Sequence, residues 1–201
     1  MNKRMGIGIL FKLVVGILAA MATFAFSSCA PHGDAVGDTQ HREPEISYDA
    51  DPGAPLTVAV IGTPGGNALD APLLKALQSK RLIPRYTNTS GMADPAAVGQ
   101  QAVDDAVRQH VKLIMVVGLT LDDADRTGWD DALSFARRAG ISVVLTDPVD
   151  TPADATLFAA VFTVDNAAED AEAIGDAAYT VINDYPHARD ITVTTRTGED
   201  S

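Results

Sequence analysis

Three short segments of this chain are apolar at nearly every residue, and they restrict the fold more than anything else in the sequence. Leu56–Ile61 (LTVAVI) closes at Gly62, Lys112–Val117 (KLIMVV) closes at Gly118, and Ile141–Thr146 (ISVVLT) follows Gly140. A strand apolar on successive residues has two faces to bury, so it belongs in the middle of a sheet covered from both sides. The intervening segments carry helical spacing. Asn67–Lys80 places Leu69, Leu73, Leu74 and Leu77 along one face. Asp94 caps a second helix that runs through His110, with Pro95 in its first turn and Val98, Ala102, Val103, Ala106 and Val107 on one stripe. A third helix opens at Thr127 or Gly128 and runs from Trp129 to Ala139, with Gly140 as its stop. Ile83–Thr87, Ala159–Val164 and Asp190–Thr195 complete the expected strands, and Asn166–Asn183 is the last expected helix. Strands alternating with helices predict an α/β fold, a three-layer parallel sheet with helices on both faces. Right-handed crossovers then gather the strand-to-helix loops along one sheet edge, where ligands of such sheets bind. These loops are Gly62–Ala68, Asn88–Asp94, Gly118–Trp129 and Asp147–Asp154.

The amino terminus does not belong to that pattern. Lys3, Arg4 and Lys12 precede Leu13–Phe26, a 14-residue stretch without a charge. A membrane-spanning helix needs about 20 such residues, so this stretch reads as a secretory signal over residues 1–28. Ser27 and Ser28 lead into Cys29, the only cysteine. Phe26-Ser27-Ser28-Cys29 resembles a bacterial lipobox, although Leu is the commoner residue where Phe26 stands. The resemblance implies cleavage before Cys29, lipidation of Cys29, and an extracytoplasmic domain anchored to the bacterial membrane as a lipoprotein. One acyl chain holds a protein marginally, and two or more hold it stably. Residues 29–54 are rich in Pro, Gly and Asp and have no apolar period, as expected of a lipidated flexible tether.

Charge narrows the function. The chain has 27 acidic and 15 basic side chains and a formal charge of -12. Phosphate backbones need basic patches, so nucleic acid is not an expected partner. Gly62–Asn67 (GTPGGN) lacks the Gly-Lys-Ser/Thr ending of a phosphate loop and lacks G-x-G-x-x-G. Asp122, Asp123, Asp125, Asp130 and Asp131 cluster without the order of a calcium loop, and read as a solvated face and helix cap. No nucleophile stands beside a base in any recognised motif. The expected protein is not an enzyme and has no metal or cofactor.

Thr127–Leu133 (TGWDDAL) followed by Ala136–Asp147 (ARRAGISVVLTD) resembles type I periplasmic sugar-binding proteins of the ribose and galactofuranose group. Val161–Asn166 (VFTVDN) is similar to that family's V-x-x-D-N, and Ala173–Asp176 and Gln100–Val117 continue the likeness over about residues 55–198. The resemblance implies a substrate-binding lipoprotein of a carbohydrate ABC importer, with a sugar ligand and the importer's permease as partners. It implies a first lobe over 55–164 and the start of an incomplete second lobe over 165–201, the remainder being truncated. It places ligand contacts at Asn67, Thr120, Trp129 and Asp147, although Trp129 reads equally as packing and Asp147 as a turn residue. The family's Asp-Arg pair is Asp147-Pro148 here, and the aromatics after the first strand are absent. One lobe offers half a cleft, so autonomous sugar affinity is not assured. It also leaves an unpaired sheet edge, from which self-association is expected. The competing reading is a one-lobe interaction or sensing lipoprotein, or the product of a truncated gene, without solute capture.

Overall fold

The central strands bury both faces, as their composition requires. The computed structural model describes residues 56–66 and 68–197. The signal and tether, Cys29 and Asn67 lie outside the described residues. In chain order the elements are β1 (Leu56–Ile61), α1 (Asp70–Ser79), β2 (Leu82–Thr87), α2 (Pro95–Arg108), β3 (Leu113–Val117), α3 (Arg126–Arg138) and β4 (Ser142–Thr146). A single 3-10 turn at Ala155–Leu157 leads to β5 (Ala160–Val164), β6 (Glu172–Ala173), α4 (Ile174–Ile182) and β7 (Asp190–Thr194). The strands form one parallel sheet in the order β2-β1-β3-β4-β5-β7-β6.

Side chains alternate between two cores. Ala59, Ile61, Ile114, Val116, Val143 and Leu145 pack under α2 and α3. Val58, Val60, Leu113, Met115, Val117 and Val144 pack under α1 and α4 on the opposite face. Each fully buried Leu, Ile or Val contributes about 1.5–3 kcal/mol relative to exposure, which explains why the strongest apolar runs take the middle of the sheet. The chain leaves β1 toward β2 with α1 on one face, then crosses back to β3 with α2 on the other. Right-handed crossovers moving in opposite directions must use opposite faces.

Helix ends follow local chemistry. Asp94 Oδ1 accepts from the Ala97 amide at 2.9 Å, with Pro95 in the first turn. The expected α2 extends to His110, but His110 adopts φ 53° and the helix stops at Arg108. Gly140 takes φ 71°, and the Ile141 amide bonds back to Ala136 carbonyl at 3.0 Å, closing α3. Its start is earlier than expected, because Asp122 Oδ1 accepts from the amides of Ala124 and Asp125 and turns the chain ahead of Arg126.

The largest departure lies between 165 and 183. The expected helix from Asn166 begins only at Ile174. Residues 166–173 (NAAEDAEA) offer no large apolar side chain to bury, so helix propensity alone does not hold them. Instead Asp165 Oδ1 accepts from Ala167 and Ala168, and the Asn166 side chain bonds Thr194 and Thr195. β7 pairs with β5, and α4 packs into the same core as α1, so 165–197 continue the same sheet.

Both sheet edges are blunted. β2 carries Pro84, which has no amide to donate, and β6 has two residues. Among the described residues no helix is long and apolar enough to cross a membrane.

One polar contact joins β2 to α1. The Tyr86 hydroxyl donates to Asp70 Oδ2 at 2.5 Å, and Asp70 is only 8% exposed. Burial, then the hydrogen bond and charge of Asp70, push the Tyr86 phenol up from 10.0 to about 12. Tyr86→Phe is expected to destabilise the fold by about 1–2 kcal/mol, because a buried carboxylate loses its donor. A raised phenol pKa stabilises fully below the unfolded value and is lost as pH climbs through the folded one. Urea unfolding should thus show stability falling between pH 10 and about 12 in the wild type, with part of that fall missing in Tyr86→Phe.

Candidate functional site

The opposed departures from β1 and β3 leave a gap between the loops that follow them, and a cleft of about 490 Å³ lies there. All four loops singled out from sequence contribute to it. Gly62 and Pro64 come from the loop after β1, Thr89, Ala93 and Asp94 from that after β2, Leu119–Asp122 and Asp125 from that after β3, and Asp150 from that after β4. The floor is Ile61, Val116, Val117 and the ring of Trp129.

Hydrogen bonds between loops fix the walls. The Thr89 hydroxyl donates to the Gly62 carbonyl at 2.8 Å, while the Gly62 amide donates to Thr87 carbonyl at 3.0 Å. On the other side Asp150 Oδ2 accepts from the Leu121 amide at 3.0 Å, and the amides of Val149 and Asp150 donate to Leu119 carbonyl. The cleft is thereby set by four strand ends rather than by one loop.

Trp129 is 5% exposed and packs on α2 at Gly99. A Cβ at Gly99 would stand 2.8 Å from Trp129 Cη2 and 2.9 Å from Cζ2, so the missing side chain is what lets the indole reach the cleft floor. Thr120 is exposed at the rim. Asp147 is elsewhere. It turns the chain at φ 45°, its amide donates to Phe162 carbonyl, and its Oδ1 accepts from the Val164 amide at 2.8 Å. The structure thus brings Thr120 and Trp129 together and holds Asp147 in the β4–β5 turn.

The residues that sequence reasoning passed over are the carboxylates Asp94, Asp122, Asp125 and Asp150. Asp94 was legible as a cap, and Asp122 and Asp125 as a solvated cluster. Only the convergence of loops at the switch point would have turned them toward one cleft. Among the described residues no Lys, Arg or His lines it. Desolvation, then the charges of Asp122 and Asp94, push the Asp125 carboxyl above its ordinary range, a mark of crowded negative charge. Such walls accept hydrogen bonds from hydroxyl or ammonium groups and repel anions. Among the described residues no three metal-ligating side chains come together.

Replacing a helical glycine by alanine ordinarily stabilises by up to about 1 kcal/mol. Gly99→Ala is expected instead to cost about 1–3 kcal/mol, because the indole has no free space to enter. Thermal unfolding checks the sign: a raised melting temperature would show that Trp129 is not held against α2.

The chain is an open parallel α/β domain with a cleft at the point where its connections diverge. Neither a described protein family nor a curated protein matches it. Among solved structures it is similar to a galactofuranose-binding protein at 22% identity and a TM-score of 0.43, covering 56% of this chain and 36% of that one. It is similar to a pilus assembly-related protein of Burkholderia pseudomallei at 18% identity and 0.43, covering 68% and 95%. It is also similar to the Lac repressor dimer bound to operator and an anti-inducer, at 13% identity and 0.40, covering 57% and 37%. The chain therefore spans little more than a third of the length of the first and third of these proteins.

Proposed function

We propose that this chain is an extracytoplasmic solute-binding domain of the sugar-importer kind, held to the membrane by lipid on Cys29. The observation that carries the reading is the cleft itself, apolar at its floor and rimmed by carboxylates, with no Lys, Arg or His among its described lining residues. A neutral polyol suits it: hydroxyls donate to Asp94, Asp122 and Asp150, and the less polar ring face meets the floor. The resemblance of 127–147 and 161–176 to sugar-binding proteins points the same way. An ABC importer's permease is the partner this role calls for. Asn67, a proposed contact from sequence, belongs to the loop after β1 that borders the cleft.

Trp129, the only tryptophan, reports on the site directly. A panel of pentoses and hexoses is expected to change its emission, and Asp150→Ala to weaken the response at least tenfold (about 1.4 kcal/mol). Calorimetry showing no heat at millimolar sugar would sink solute capture. Separately, Cys29→Ser is expected to release the chain from the membrane fraction of a bacterial host, and unchanged membrane retention would defeat the lipid anchor.

One observation favours the second reading, a one-lobe interaction or sensing lipoprotein without solute capture. Residues 165–197 continue the same sheet and core, which suits a domain that acts without a facing half. That reading predicts silence in calorimetry together with a stable complex with a membrane protein.

A further inference from the structure

Charge differs between the two edges of the sheet over β1 to β4. The cleft edge carries Asp94, Asp122, Asp123, Asp125, Asp150 and Asp165, with Arg126 and Arg196 as its cations. The opposite edge receives the helix-to-strand loops, and the first three are basic: Lys80-Arg81 before β2, Arg108 to Lys112 before β3, Arg137-Arg138 before β4, whereas Asp154 precedes β5 and Asp184, Arg189 and Asp190 lead into β7. Register sets them in a row. Arg81 precedes Leu82, the partner of Leu56, and the Lys112 amide donates to Thr57 carbonyl at 2.8 Å. Lys80 is paired with Asp176, and Arg108 with Asp104 and Asp105. Arg81, Lys112 and Arg138 are exposed and make no ion pair among the described residues. β1 begins at this same edge, so the chain from the amino-terminal segment enters the domain there.

We infer that this basic edge docks on anionic phospholipid headgroups and orients the domain with its cleft away from the bilayer. The inference rests on the membrane attachment proposed above. Two forces act together: the three unpaired cations are drawn to the surface, and the carboxylates of the far edge are driven from it. Each Lys or Arg near an anionic leaflet contributes about 1 kcal/mol, a factor of about five in the ratio of orientations. The attraction acts within a Debye length, about 8 Å at physiological salt, so only the edge nearest the membrane feels it.

The test uses the full chain as lipidated in a bacterial host, where a lipid on the Cys29 sulfur leaves an introduced cysteine as the single free thiol, on vesicles of phosphatidylcholine with or without 30% phosphatidylglycerol (about one lipid in three, enough for a strong surface potential). A donor dye is placed at Gln109→Cys on the basic edge or Thr151→Cys on the cleft edge, both exposed, and an acceptor on the headgroups. Energy transfer from 109 is expected to exceed that from 151 at least twofold on anionic vesicles. The excess should vanish at high salt, a control that needs no further substitution, and in Arg81→Asn/Lys112→Gln/Arg138→Gln. Equal transfer from both sites, or an excess that persists on neutral vesicles and at high salt, overturns the inference. Flotation separates the two readings. A chain that fails to float with neutral vesicles defeats this attachment. Docking is then read from flotation on anionic vesicles alone, expected at low salt and lost in the triple variant, and its absence overturns the inference.

Discussion

β1, β3 and β4 are apolar on both faces, and strands of that kind persist in water only when helices cover them twice. The rest of the architecture follows. Covering two faces with successive right-handed crossovers forces the chain to reverse direction once, and it does so between β1 and β3. The reversal parts two loops, and the cleft is the space they leave. The site is therefore a geometric by-product of burial, furnished with polar groups by the loops that border it.

Much of this was readable in advance, for physical reasons. Val58, Ile114 and Val144 stand in runs that no amphipathic element could accept, so their central position was determined locally. The capping of α2 by Asp94 and the stop at Gly140 rest on hydrogen bonds within four or five residues. What lay beyond reading was decided by distant partners. Asn166 looks like a helix start, yet Thr194 and Thr195, 28 and 29 residues away, hold its side chain in a turn. Asp147 looked equally suited to a ligand, and the Val164 amide 17 residues on takes its oxygen. The site's loops could be named from periodicity, whereas Asp94, Asp122 and Asp150 could be assigned to it only once the order of strands was known.

The acidic balance also changes meaning when it is placed in space. A formal charge of -12 suggests uniform repulsion from anionic surfaces. The fold instead distributes the signs unevenly over β1 to β4, because helix carboxyl ends favour Arg and Lys while the strand ends here gather Asp. Net charge alone does not describe that unevenness.

The blunted edges bear on how densely such domains can be assembled. Chains attached to one surface are concentrated in two dimensions far beyond their solution value, and an open strand edge would then find a neighbour constantly. Pro84 on β2 and the two-residue β6 shorten the ladder such a neighbour could form.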